Sequence, residues 1–276
     1  MLSSEYFSIQ QKDKIVYIQM PILSATGLVN HCFSTRLGGV SSGSFESMNL
    51  GFDRGDKEEN VRENYRLICD AIDINTDDLV FSSQVHEDKI VIVEKSDRGK
   101  GFTKENDLVG VDGLITNEKN VALVTSYADC VPLFFLDPVN KVIALTHAGW
   151  RGTVKKIGAK TVQMMGAHFG SKPEELLIAI GPSIGACCFE VSEDVKIEVE
   201  KMFNHDIIDK IVKKHQKNKY MVDLWTANEE VLLEVGIKKE HIQKTDICTM
   251  CHKEVLFSHR GTDGKRGSMV AIMALK

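Results

Sequence analysis

Cys130 and His147 bound the segment VPLFFLDPVNKVIALT, which is largely apolar on either side of a break over 137–141. Two strands joined by the turn DPVN carry the chain out and back, so both residues fall at one end of a hairpin. A thiolate beside an imidazole is a good donor pair for zinc, though a structural zinc site normally needs four protein ligands. His86, in SSQVHEDKIVIV, is the best third donor, because it lies in a turn between two short strands, where a side chain can leave the sheet. Three protein ligands leave one position for water or substrate, the arrangement of catalytic zinc. On residue type alone two other readings stand. Cys130 is a nucleophile with His147 as its base, or both are ordinary core residues, one a small apolar side chain and the other a satisfied polar one.

The elements that must place these side chains form a mixed pattern. KIVYIQM at 14–20 reads as an early strand, followed by a Gly- and Ser-rich loop at 34–51 that is too long for a simple turn. Val61, Tyr65, Ile68 and Ile72 recur at helical spacing and predict an amphipathic helix over 57–72. Short strands are expected around 79–83 and 89–94, then at 121–124, 131–136 and 141–146, the last ones buried on both faces. Helices follow at 153–168, 192–203 and 224–235, the last opening at an Asp223 cap and closing at Gly236. Strands near 176–181, 243–247, 254–259 and 268–275 complete the chain. Helices and hairpins alternate without a strict βαβ rhythm, which predicts an α+β fold of mixed sheets flanked by helices. With no repeat, low-complexity tract or linker, residues 1–276 read as a single domain.

Composition narrows the function classes. The net charge is −5 and no block of Lys or Arg stands out, so the electrostatic footprint of a nucleic-acid binder is missing and a small-molecule partner fits better. Charges interrupt the first twenty residues where a signal peptide needs its apolar stretch, and no later run reaches the roughly 18 apolar residues of a membrane span. A cytoplasmic protein with no membrane partner is expected; oligomeric state leaves no mark. Seven cysteines, an odd number at spacings that suggest no disulfide framework, read as thiols, ligands or nucleophiles.

SSQVH, DGLIT, SYADCVPLFFLDP, THAGWRGT, GPSIGACCFEV and CTMCHKEVLFSHRGTDGKRGSMVAIM occur in the order seen in the laccase-domain family. That family is named for polyphenol oxidase activity and is also called the purine nucleoside phosphorylase YlmD/YfiH family; the resemblance covers nearly the whole chain. It implies a four-layered mixed α/β architecture, similar in fold to a group of cysteine hydrolases. It also implies zinc held by His86, Cys130 and His147, with copper as an alternative ion. The activity implied is cleavage of adenosine, inosine and S-methyl-5′-thioadenosine with phosphate, accompanied by adenosine deamination. A copper-dependent polyphenol oxidase is the second class. Multicopper centres often use paired His-x-His, and the nine histidines here include no such pair. A cysteine hydrolase using Cys130 and His147 is the third.

Phosphorolysis needs an anion site, and HAGWRGT offers one. Gly149 and Gly152 let backbone approach closely, a helix is expected to begin near Thr153, and Arg151 supplies a forked cation. A tight turn with a solvated Arg151 is the competing account. Arg36 in STRLGG and Arg260 in SHRGTDG sit in Gly-rich loops that can reach over a ligand, and the resemblance ranks Arg36 above Arg260. Asp129 either orients a ligand histidine, acts on bound water or caps a turn, and Asp112 is read likewise, with a plain Asp-Gly turn as its alternative. Cys187 and Cys188 read as a buried pair with at most one member on the pocket, because consecutive side chains diverge in an extended chain. CTMCH at 248–252 has the haem-attachment spacing, read here as coincidence because no export signal accompanies it.

Overall fold

The computed structural model describes residues 6–276. Strand Val131–Asp137 is buried along its whole length. Alternation explains why: Val131, Leu133 and Phe135 enter one apolar cluster, while Phe134 and Leu136 point the other way into a second. A strand apolar on both faces must be covered on both. Val142–Ala148 pairs with it antiparallel, with Pro132 opposite His147 and Val131 opposite Ala148.

This hairpin forms the middle of a six-stranded sheet, which runs in order Ile242–Lys244, Leu177–Ile180, Val131–Asp137, Val142–Ala148, Gly113–Thr116 and Ile90–Ile92. A second six-stranded sheet runs in order Ser8–Lys12, Ile15–Gln19, Val29–Ser34, Met269–Leu275, Ala122–Tyr127 and Leu79–Phe81. The two sheets face each other across a shared core, to which Phe33, Leu123 and Met273 contribute from one and Phe134, Leu145 and Ala179 from the other. Helices Ile157–Phe169 and Leu224–Glu234 cover the outer face of the first sheet through Val162, Met165 and Leu232. Helix Glu58–Ala71 covers the outer face of the other through Val61, Tyr65 and Ile68. The result is a four-layered mixed α/β architecture, with a small three-stranded sheet of Glu190–Ser192, Lys219–Val222 and Val212–Gln216 beside it.

Several elements depart from the sequence expectation. The helix expected at 153–168 is two helices, Trp150–Val154 and Ile157–Phe169, broken where Lys156 takes a left-handed backbone conformation at φ +56°. The strand expected at 254–259 is absent; Leu256 and Phe257 instead plug the core between the sheets, held by a turn in which the Leu256 N–H bonds to the His252 carbonyl. Val29–Ser34 escaped prediction because Asn30, His31 and Ser34 dilute its apolar pattern, although five of its six residues are buried. Val212–Gln216 escaped because its side chains are almost all polar and outward. Helix Leu224–Glu234 does open at Asp223, whose carboxylate accepts the Thr226 N–H, and is followed by Gly236 at φ +92°.

Candidate metal centre

The site lies at the seam between the two sheets. Residues 128–130 carry the chain from Ala122–Tyr127 in one sheet to Val131–Asp137 in the other, with Asp129 at φ +85° to make the crossing. Cys130 therefore enters at the start of the hairpin, and the antiparallel register returns His147 to the same end. His86 reaches in from the turn between Leu79–Phe81 and Ile90–Ile92, itself at φ +62°. The structure brings together one donor atom from each of His86, Cys130 and His147, all within 4.8 Å of one another. Their rings meet edge to face, with the His86 and His147 centroids 4.8 Å apart.

Asp112 ties two of these donors in place. Its carboxylate accepts from the backbone N–H groups of Val85, His86 and Glu87 at 3.1, 3.1 and 3.0 Å, fixing the turn that presents His86. The same group lies 2.8 Å from Nδ1 of His147. Burial raises the Asp112 carboxyl, but His147 and the backbone N–H groups outweigh it and hold it below the usual carboxylate range. An ionised carboxylate only accepts, so Nδ1 of His147 carries a proton and Nε2 is the nitrogen left for a metal, which would displace the proton held there. Burial likewise pushes the Cys130 thiol up, yet His147 and His86 bring it down to about 6. His147 is pushed down by burial and raised by Cys130 and Asp112 to about 9. A thiolate and two oriented imidazoles are the donor chemistry that zinc takes, so the residues present fit the ion.

Gly149 is the near wall of this cluster. A Cβ there would fall 3.1 Å from Cδ2 of His86 and 3.3 Å from Sγ of Cys130. Its glycine character serves close approach, since its own φ of −61° suits any residue. The three donors open onto a cavity of about 400 Å³, whose lining includes Phe52, Arg54, Phe81 and Arg266. Nothing in the sequence marks Arg54 and Arg266, since their Gly-flanked contexts do not set them apart from Arg36 or Arg260. Arg266 is buried enough that its Nε has no partner, while Nη1 donates to the Gly267 carbonyl and to Ser268 Oγ at 3.1 and 2.9 Å. Burial and the neighbouring Arg54 cation hold its guanidinium below its ordinary value.

The other arginines singled out from the sequence are not among the residues lining this cavity. Arg36 donates through Nε to the Glu46 carbonyl and through Nη1 to the Lys253 carbonyl, at 2.8 and 2.7 Å, and stacks on Phe257 at 4.6 Å. It pins a loop. Arg151 is exposed and lies over Trp150, on a helix of only five residues that begins at Trp150 rather than near Thr153. Arg260 donates to the Glu190 carbonyl at 2.9 Å and faces a different hollow. Asp129 points its carboxylate away from the imidazoles, accepting from Thr249 Oγ1 at 2.6 Å and from the Arg260 N–H at 2.7 Å. The orienting role weighed for Asp129 is geometrically that of Asp112.

Fold and donor set together define a class of four-layered α/β chains that present one sulfur and two imidazole donors at the mouth of a polar cavity. The chain belongs to the family described as multi-copper polyphenol oxidoreductase laccase, which residues 30–276 match. It is 37% identical over 245 residues to the Bacillus subtilis protein named purine nucleoside phosphorylase YlmD, covering 88% of this chain and 87% of that one. It is 34% identical over 250 residues to a Bacteroides thetaiotaomicron protein named purine nucleoside phosphorylase, covering 90% and 92%. Its fold superimposes on the crystal structure of YlmD from Geobacillus stearothermophilus with a TM-score of 0.90 at 32% identity, over 97% and 98% of the two chains. Among the described residues no helix is long and apolar enough to cross a membrane.

Proposed function

We propose that this chain is a zinc-dependent purine nucleoside phosphorylase that cleaves adenosine, inosine and S-methyl-5′-thioadenosine with phosphate, and that deaminates adenosine as a second activity. The observation that carries the reading is the convergence of His86, Cys130 and His147 on a cavity that also holds two arginines. The names of the relatives support it. When bound, zinc supplies a Lewis acid that polarises oxygen and offsets negative charge. Arg54 and Arg266 bind the phosphate; an anion between them relieves their mutual repulsion and satisfies the unpartnered Nε of Arg266. Phe52 and Phe81 offer apolar faces to the purine. The bond from the ribosyl carbon to the purine nitrogen breaks, a phosphate oxygen bonds to that carbon, and the base leaves with the electron pair and takes up a proton. Asp112 keeps His147 in the tautomer that donates from Nε2.

A second reading has an observation of its own. Cys130, drawn down to about 6 beside His147, with Asp112 behind the imidazole, has the order nucleophile, base and orienting carboxylate of a cysteine hydrolase. Ligation and attack use the same sulfur lone pairs, so zinc content separates the two. Zinc-loaded protein incubated with adenosine, with and without phosphate, tests the proposal. Adenine and ribose phosphate that appear only with phosphate are expected. Inosine alone would make deamination the main reaction, and no purine product with turnover in the metal-free form would favour the hydrolase.

A further inference from the structure

Four of the seven cysteines meet elsewhere in the molecule. Leu177–Ile180 and Ile242–Lys244 are parallel neighbours at one edge of their sheet, with Ile178 opposite Ile242 and Ile180 opposite Lys244. Parallel strands release their chains at the same end, and the pairing continues past both. Thr245 N–H bonds to the Ile180 carbonyl, Ser183 N–H to Ile247 and Thr249 N–H to Ser183, at 3.0, 3.2 and 2.9 Å. Cys187 and Cys188 lie on the first of these loops and Cys248 and Cys251 on the second. All four sulfurs fall within 4.8 Å of one another. Cys251 Sγ is 3.5 Å from the sulfurs of both Cys187 and Cys188.

The expectation of a buried pair of diverging side chains is overturned by the backbone. Residues 185–188 form a turn, closed by the Cys188 N–H on the Gly185 carbonyl at 2.9 Å, and a turn lets consecutive side chains face one point. Cys187 is exposed, Cys188 half-buried, and neither is among the residues lining the cavity beside His86. The separations exceed the roughly 2 Å of a disulfide. They bracket the separation of about 3.8 Å expected for sulfurs placed tetrahedrally about 2.3 Å from a zinc ion. The surroundings are built to the same end. The Gly185 N–H points at Cys248 Sγ at 3.3 Å, as a donor that favours a thiolate. A Cβ on Gly185 would lie 2.8 Å from the Trp225 ring and 3.3 Å from the Cys248 Cβ, so only glycine brings that N–H so close. Cys248 and Cys251 carry the Cys-x-x-Cys spacing that a single ion spans.

We propose that Cys187, Cys188, Cys248 and Cys251 form a second metal site, a tetrathiolate zinc centre whose ligands all come from this chain. Four sulfur ligands saturate the ion, so the site is structural, unlike the open set at His86, Cys130 and His147. Its effect reaches that set through Asp129, whose carboxylate accepts from Thr249, between Cys248 and Cys251, and whose carbonyl accepts the Ile184 N–H at 2.8 Å. The clip between the two loops thereby holds the turn that presents Cys130.

Metal analysis of the full-length chain, prepared under reducing conditions with zinc, tests this. Wild type is expected to hold about two zinc ions and the Cys130→Ala, His147→Ala variant about one. Cobalt loaded into that variant should give the intense sulfur-to-metal charge-transfer absorption of a tetrathiolate. Cys187→Ser, at an exposed position, should keep the fold, reduce that absorption and weaken metal binding at least about tenfold. A Cys130→Ala, His147→Ala chain that is folded but holds no zinc, with its four remaining clustered thiols reacting freely with a thiol reagent, would overturn the proposal. So would unchanged affinity in Cys187→Ser, or a disulfide found among the four by mass after reducing preparation.

Discussion

Asp112 accepts from Nδ1 of His147 at 2.8 Å with the same carboxylate that receives the N–H of His86. One buried group thus sets the tautomer of one metal donor and the backbone of another. Asp112→Asn presents an amide where the imidazole needs an acceptor, and should weaken zinc binding about tenfold to a hundredfold while the chain stays folded. Competition against a chelator of known affinity measures this. Equal affinity in the variant would remove Asp112 from the account.

Gly149→Ala places a methyl 3.1 Å from the His86 ring and 3.3 Å from the Cys130 sulfur without any backbone penalty. The clash should cost about 1–3 kcal/mol, and its natural relief is displacement of the donors. Zinc occupancy is expected to fall more than the unfolding midpoint does. A variant that binds zinc normally would show that the wall has room.

Arg266→Ala should raise the KM for phosphate by about tenfold to a hundredfold, the loss of a charge-assisted contact, and leave the KM for nucleoside nearly unchanged. Arg151→Ala, which removes an exposed guanidinium stacked on Trp150, should leave the phosphate KM alone. Initial rates at varied phosphate decide between them; the reverse pattern would move the anion site to the turn after His147.

His31 offers a pH test away from the metal donors. Burial and the nearby Lys276 lower its pKa from 6.5 to about 4, and the Met20 N–H bonds to Nε2 at 3.0 Å, which only the neutral ring can accept. Above pH 6.5 the ring is neutral in both states and contributes nothing. As pH falls from there, the unfolded chain takes up a proton that the folded one refuses, and stability drops by about 3 kcal/mol by the time pH reaches the folded value. Urea midpoints of the metal-free protein across that window should show the decline, and His31→Gln should flatten it. An equally steep decline in the variant would place the titrating group elsewhere.

Mixed sheets flanked by helices were legible because the unbroken apolar runs of VPLFFLD and VIALTHA and the period-3.6 burial in the helix at 58–71 are strong local signals, whereas the four layers followed only from the family resemblance. The meeting of Cys130 with His147 was legible for the same reason, since a hairpin of known register fixes where its ends lie. Arg54 and Arg266 were not, because they are placed by loops more than two hundred residues apart and nothing local marks them. Asp112, followed by Gly113, reads more readily as a plain turn residue; only its burial and four nitrogen partners distinguish it. The facing of Cys187 and Cys188 is hidden from the sequence because it rests on a backbone turn at 185–188 that residue types do not mark.

Met269–Leu275 sits between Val29–Ser34 and Ala122–Tyr127 and bonds to both. A ribosome that has delivered the chain only as far as Ser268 therefore leaves two open β-edges facing each other across a slot that nothing yet fills. Until that strand emerges, the nascent polypeptide carries sticky borders that invite intermolecular pairing, and protection by chaperones should matter most in that interval.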